Sequence, residues 1–243
     1  MRRWLKVVIA VGIVASGSSA FPALGQSVKD AQEQLQVLQK KYDDFGGLQR
    51  YAQANASLPA TQPGRVVFYG DSITDAWTLN GGKFFPGKPY LNRGISGQTT
   101  PQMLVRFRQD VIDLHPEAVV ILAGTNDIAG NTGPETQEMI EDNFRSMTEL
   151  ARANSIRVIL ASVLPAAKYP WKPEAGDPSE KIHTLNEWIA SYCKQQKITY
   201  LDYYSAMVGP DGGMKPGISL DGVHPNAAGY AIMEPLAEAA LAQ

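Results

Sequence analysis

Five short runs of mainly apolar residues, separated by longer stretches of helical periodicity, constrain this chain more than any other feature. They lie near Arg65–Tyr69, Tyr90–Asn92, Ala118–Leu122, Arg157–Leu164 and Thr199–Leu201. Short buried strands alternating with amphipathic segments predict βαβ units and a parallel sheet, hence an α/β fold. Between the strands, Thr100-Pro101 opens a helix with Leu104, Phe107, Val111 and Leu114 on one face, ended by His115-Pro116. A second helix carries Ile140, Phe144, Met147 and Ala151, and a third carries Ile182, Leu185, Ile189 and Tyr192. The last runs from Asn226 towards Leu241 and contains Pro235, which is expected to kink it.

In a parallel sheet of this kind, ligands sit beyond the carboxyl ends of the strands. Gly70-Asp71-Ser72 follows the first strand, Gly94 to Gln98 the second, and Gly124-Thr125-Asn126-Asp127 the third, so three polar loops meet at one edge. A serine hydroxyl at that edge is a poor nucleophile until a base takes its proton. Of the three histidines, His115 ends a helix and His183 lies on one beside Lys181, both positions that suit a surface role. His224 follows Asp221 by three residues in a loop, a span that lets a carboxylate orient the ring. Ester hydrolysis also needs donors aimed at an oxyanion. The turn after Ser72 and Gly97 can each supply a backbone N–H, and Asn126 can supply its carboxamide. Asp71 and Asp127 are expected to brace these loops.

Taken together, Gly70-Asp71-Ser72-Ile73, Gly97, Gly124-Thr125-Asn126-Asp127 and Asp221-Gly222-Val223-His224 resemble the four blocks of the SGNH (GDSL-type) hydrolases. The resemblance runs from about Arg65 to the C-terminus. Asn92 to Thr100 further resembles the branch holding the platelet-activating-factor acetylhydrolase catalytic subunits. Carried over by position, it implies Ser72 as nucleophile and oxyanion donor, Gly97 and Asn126 as the other donors, His224 as base and Asp221 as its orienter. It also implies a flavodoxin-like, three-layer α/β/α sandwich with a five-stranded parallel sheet, and no metal or cofactor. Ile73 stands where the family usually has leucine, a conservative apolar change.

The 243 residues suffice for one substantial α/β domain, and a formal net charge of -2 gives no reason to expect nucleic acid as a partner. The single cysteine, Cys193, excludes an intrachain disulfide. Arg2, Arg3 and Lys6 precede an apolar run from Val7 to Ala15 and then small residues, the pattern of a signal peptide over 1–25. That run is too short to span roughly 30 Å of hydrocarbon, so export with cleavage, to periplasm or medium, is expected over a stable membrane anchor. Cleavage would leave Phe21 or Gln26 first. Residues 26–60 read as a helical extension and linker, with Ser27 as N-cap and Gly46-Gly47 as a stop, and 61–243 as the hydrolase domain.

Two aromatic groups are candidates to border the site: Trp77 with Phe84-Phe85, and Tyr169-Pro170-Trp171 in a Pro-rich loop. Trp171 is the candidate substrate-binding residue; for Trp77 and Phe84 simple burial competes. The expected partner is a small-molecule ester, an acylated sugar or lipid-derived ester with a short acyl group such as acetyl. An acyltransferase using the same residues, and a carbohydrate-binding protein without activity, remain as alternatives. Ser191-Tyr192-Cys193-Lys194 matches Ser-x-x-Lys but lies within an amphipathic helix, where chance accounts for it.

Overall fold

The structure is a computed structural model and describes residues 21–243. The helices are α1 (Phe21–Asp43), α2 (Ala52–Ala56), α3 (Ser72–Asp75), α4 (Thr100–Asp110), α5 (Thr125–Ala129), α6 (Gln137–Ala153), α7 (Ser179–Gln196), α8 (Tyr203–Met207) and α9 (Ala227–Leu241). The strands are β1 (Val66–Gly70), β2 (Tyr90–Gly94), β3 (Ala118–Leu122), β4 (Arg157–Ala161) and β5 (Thr199–Leu201). All pair in parallel in the order β2-β1-β3-β4-β5. The five expected strands are all present.

Two compact units meet in sequence at Asp44 and Phe45. The first contains α1, whose last turn is closed by a hydrogen bond from Gln39 Nε2 to Asp43 Oδ1. This helix starts at Phe21, ahead of the Ser27 expected to cap it, and takes in the end of the expected leader; the rest of that leader, residues 1–20, lies outside the described residues. The second unit starts at Phe45, earlier than the expected boundary at 61. Residues 45–60 join it because their polar groups bond to the sheet and to α4. Tyr51 OH donates to Gly94 O at 2.5 Å, and Asn55 Nδ2 donates to Asp110 Oδ1 at 2.7 Å.

Alternate residues of each strand feed two apolar layers, as the period of two in a strand requires. Val67, Tyr69, Val119, Ile121, Val158 and Leu160 pack with residues of α4, α6 and α7. Val66, Phe68, Val120, Leu122 and Ile159 face the other way, onto Trp77, Phe85, Met207, Tyr230 and Met233. The sheet is thus covered on both sides, a three-layer α/β/α sandwich. β1 and β3 are buried along their whole length.

The helix faces expected of α6 and α7 are buried as read. α4 differs. Its inner face carries Met103 and Phe107 together with the ion pair Arg106–Asp110, 3.1 Å apart and wholly buried, while Leu104 is only half-buried and Val111 and Leu114 lie in the following turn. Arg106 is retained because its donors are used: Nη2 on Gly70 O (3.0 Å), Nη1 on Arg93 O (2.9 Å) and Nε on Gln98 Oε1 (2.6 Å). A buried guanidinium is tolerable when its protons are satisfied in this way. It holds the carboxyl ends of β1 and β2 and the loop after β2 in one frame.

Candidate active site

β1 ends at Gly70, level with Gly94 of β2 and Leu122 of β3. The chain then turns directly into α3, which begins at Ser72 and is capped by Asp71, whose Oδ1 accepts from Ile73 N at 2.9 Å. Gly94 is required by that turn: a Cβ there would lie 2.1 Å from Asp75 N. Asp75 Oδ2 in turn accepts from Ser96 N (3.1 Å) and Ser96 Oγ (2.7 Å), pinning the loop after β2 against α3. Gly97 in that loop has φ +79, a left-handed conformation that favours glycine.

Ser72 and His224, separated by 152 positions, meet over this edge: Ser72 Oγ lies 2.9 Å from His224 Nε2. On the far side of the ring, His224 Nδ1 lies 2.8 Å from Asp221 Oδ2. The other oxygen, Asp221 Oδ1, accepts from the backbone N–H groups of Val223 (2.9 Å) and His224 (2.8 Å). Desolvation works to raise the Asp221 pKa, but the hydrogen bonds from His224 and Val223 outweigh it and hold the carboxyl below its usual range. It is therefore ionised at neutral pH. Ser219 Oγ accepts from Asp221 N (3.2 Å) and Gly222 N (2.7 Å) and donates to His224 O (3.0 Å), so the loop is cross-braced.

Asn126, at the start of α5, is buried beside Ser72. Its Nδ2 donates to Gln98 O at 3.0 Å and reaches Asp71 Oδ2 at 3.3 Å. Asp71 is wholly buried, and burial pushes its pKa up to about 6. Burial likewise raises Asp127, against the opposing hydrogen bonds of Thr100 and with Glu135 adding to the rise. Asp127 Oδ1 accepts from Thr100 N at 2.8 Å and from Thr100 Oγ1 at 2.5 Å, tying α5 to the start of α4. Both aspartates are braces, as their positions in the sequence suggested.

A cleft of about 440 Å³ opens above these groups, lined by Ser72, Gly97, Asn126 and His224 and bounded by Trp171, Asn131 and Leu220. Trp171 is 39% exposed, its ring 5.8 Å from the His224 ring and packed at 5.1 Å, tilted by 36°, against buried Tyr169. Trp77 and Phe85 are buried and Phe84 partly so, in the opposite apolar layer around Phe68; they form core, not cleft. His115 and His183 are exposed and do not line this cleft. Asn131 escaped the sequence reading: it belongs to no recognisable block, and one asparagine after a glycine is an ordinary loop signal. Among the described residues, no group of three or more His, Cys, Asp or Glu side chains could share a metal ion, and no helix is long and apolar enough to cross a membrane.

A parallel α/β sandwich with a serine, an imidazole and a carboxylate in line at its carboxyl edge defines a hydrolase-type site. Residues 68–232 match the model of the GDSL-like lipase/acylhydrolase family. The chain belongs to that family, a family of carboxylester hydrolases. A GDSL-like lipase of Bacteroides thetaiotaomicron has a solved structure with 48% identity and a TM-score of 0.79, covering 82% of this chain and 98% of that one. An uncharacterized lipoprotein, YqeF, of Bacillus subtilis (strain 168) is 28% identical over 142 residues, 51% of this chain and 58% of the relative's own length. At the level of fold alone, Axe2, an acetylxylan esterase from Geobacillus stearothermophilus, is similar with a TM-score of 0.58 and 18% identity, over 76% of this chain and 97% of that one.

Proposed function

We propose that this chain is a serine carboxylester hydrolase that works through an acyl-enzyme on Ser72. His224 Nε2 takes the Ser72 hydroxyl proton as Oγ attacks the ester carbonyl, and Asp221 holds the ring in the needed tautomer and stabilises the imidazolium. The oxyanion is met by the backbone N–H groups of Ser72 and Gly97 and by Asn126 Nδ2. Collapse of this intermediate expels the alcohol, which leaves with the proton from His224. Water then attacks the acyl-enzyme with the same imidazole as base, releasing the acid and restoring Ser72.

The observation that carries this reading is the relay from Ser72 Oγ to His224 (2.9 Å) to Asp221 (2.8 Å). The substrate we infer is a short acyl ester, such as acetyl, of a sugar or other compact polar alcohol. An exposed indole face with Asn80, Ser96 and Asn131 around the cleft supports that choice over a long lipid chain. A lipoprotein relative and the basic, then apolar, N-terminal sequence support export, to periplasm or medium.

The test is hydrolysis of p-nitrophenyl acetate by Ser72→Ala, alongside acetylated sugars and longer p-nitrophenyl esters. Turnover is expected to fall at least about 10⁴-fold, as for loss of a nucleophile in a triad. Activity within a few-fold of the parent would reject Ser72 as nucleophile. A preference for long acyl chains would reject the substrate class.

A further inference from the structure

We propose that Asn131 is a positioning residue of this site, fixing which way the Asn126 carboxamide points and so keeping its N–H groups, not its oxygen, on the oxyanion side. The inference rests on the reading of Asn126 as an oxyanion donor. A carboxamide is nearly symmetric in shape, so its orientation is set only by partners that can play a single role. Three such one-way groups surround this pair. Gln98 O can only accept, and Asn126 Nδ2 lies 3.0 Å from it. That turns Asn126 Oδ1 towards Asn131, whose Nδ2 donates to it at 2.8 Å.

Asn131 would be equally free to turn were it not pinned from both ends. Gly97 O, again acceptor only, takes a bond from Asn131 Nδ2 at 3.2 Å. Trp171 Nε1, donor only, supplies one to Asn131 Oδ1 at 3.1 Å. Donors and acceptors alternate along the chain of bonds, and a single arrangement of the two amides satisfies all of them. Turning Asn126 over would set oxygen against the Gln98 carbonyl and N–H against N–H of Asn131. With Asn131 in place, the second N–H of Asn126, held by Asp71 only at 3.3 Å, is the one that can be given up to an oxyanion.

Asn131 also touches the carbonyl of Gly97, the other loop donor, so one side chain spans both. Its backbone N–H donates to Asn126 O at 3.0 Å, which sets the reach. Being exposed, it contributes little to the core, and its replacement is not expected to unfold the domain.

The discriminating variant is Asn131→Asp. It keeps size, shape and an oxygen for Trp171, but puts a carboxylate oxygen where Asn126 Oδ1 and Gly97 O need a donor. On p-nitrophenyl acetate, kcat is expected to fall about 10- to 100-fold with KM moving less than about threefold, and Asp is expected to be at least as harmful as Ala. Asn126→Ala alone is expected to lower kcat about 10²–10³-fold, and adding Asn131→Asp to it should lower kcat no further. Melting temperatures of all variants are measured in parallel; should the Asp variant fail to fold, Asn131→Ala carries the same cycle. Asn131→Asp within threefold of the parent, or losses that multiply in the double variant, would overturn the proposal while leaving Asn126 in its role. An Asn126→Ala variant with unchanged kcat would overturn the oxyanion reading itself, and this inference with it.

Discussion

Asp71 and Asp221 stand on either side of Ser72, one residue before it in sequence and one relay away in space. Asp71 is sealed under α3 with 1% of its surface exposed, and burial raises its pKa to about 6. Asp221 keeps a side chain 36% exposed and is held low by three hydrogen bonds to its two oxygens, from the His224 and Val223 backbone and the His224 ring, with the charge of that ring adding to them. Like chemistry therefore titrates in opposite directions. Only a carboxylate that stays charged can stabilise an imidazolium as it forms, so in the proposed mechanism the acid that serves the base is the open, well-bonded one. The sealed acid, adjacent to the serine, serves as cap and brace for the turn that presents it.

Exchanging each acid for its amide sharpens this contrast. Asp221→Asn is expected to lower kcat on p-nitrophenyl acetate about 10³–10⁴-fold, because the ring loses both its charge partner and its tautomer control. Asp71→Asn, which retains an oxygen for Ile73 N, is expected to cost no more than about tenfold. Equal losses in the two variants would break the comparison.

Stability against pH separates them next. A folded-state pKa raised above the unfolded value contributes stability below the unfolded pKa, and that contribution is lost as pH rises through the folded one. For Asp71 the window is about pH 4 to 6, and the loss amounts to at most about 3 kcal/mol. Asp71→Asn should therefore gain on the parent in urea or thermal unfolding as pH is raised from 4 to 7. Asp221 has the reverse sign: its contribution is present above the unfolded pKa and lost as pH falls through the depressed folded one. A parent-minus-variant difference for Asp71 that is flat with pH would show that burial does not penalise its charge.

The smallest expected effect concerns Trp171. Removing this exposed ring with Trp171→Ala is expected to raise KM for an acetylated sugar about 3- to 10-fold and to change unfolding stability by less than about 1 kcal/mol. A loss of several kcal/mol would class it with Trp77 as core.

Much of this was legible in the sequence because strands and sheet-edge loops leave local signatures. The five runs, the serine turn and Asp221 to His224 all fall where they were read. Boundaries failed where polar side chains replace the ladder. β4 was expected to reach Leu164, since the run stays mainly apolar with only Ser162 breaking it, but after Ala161 the backbone of Val163 pairs instead with the amide of Asn186, at 2.7 and 2.9 Å. The face of α4 was misread for a related reason: hydrophobic periodicity has no symbol for an arginine that is buried because three strand-end and loop groups accept from it. Asn131 was invisible because its role lies in partners distant in sequence, Gly97 and Trp171, which only the folded chain brings together.

The central claim is that the relay makes Ser72, and no other serine, nucleophilic. Labelling with a fluorophosphonate followed by peptide mass analysis tests it most directly. The modification is expected on the peptide carrying Ser72, absent in Ser72→Ala, and slowed at least about 10³-fold in His224→Ala. Labelling of a different serine, or an undiminished rate without His224, would contradict the account.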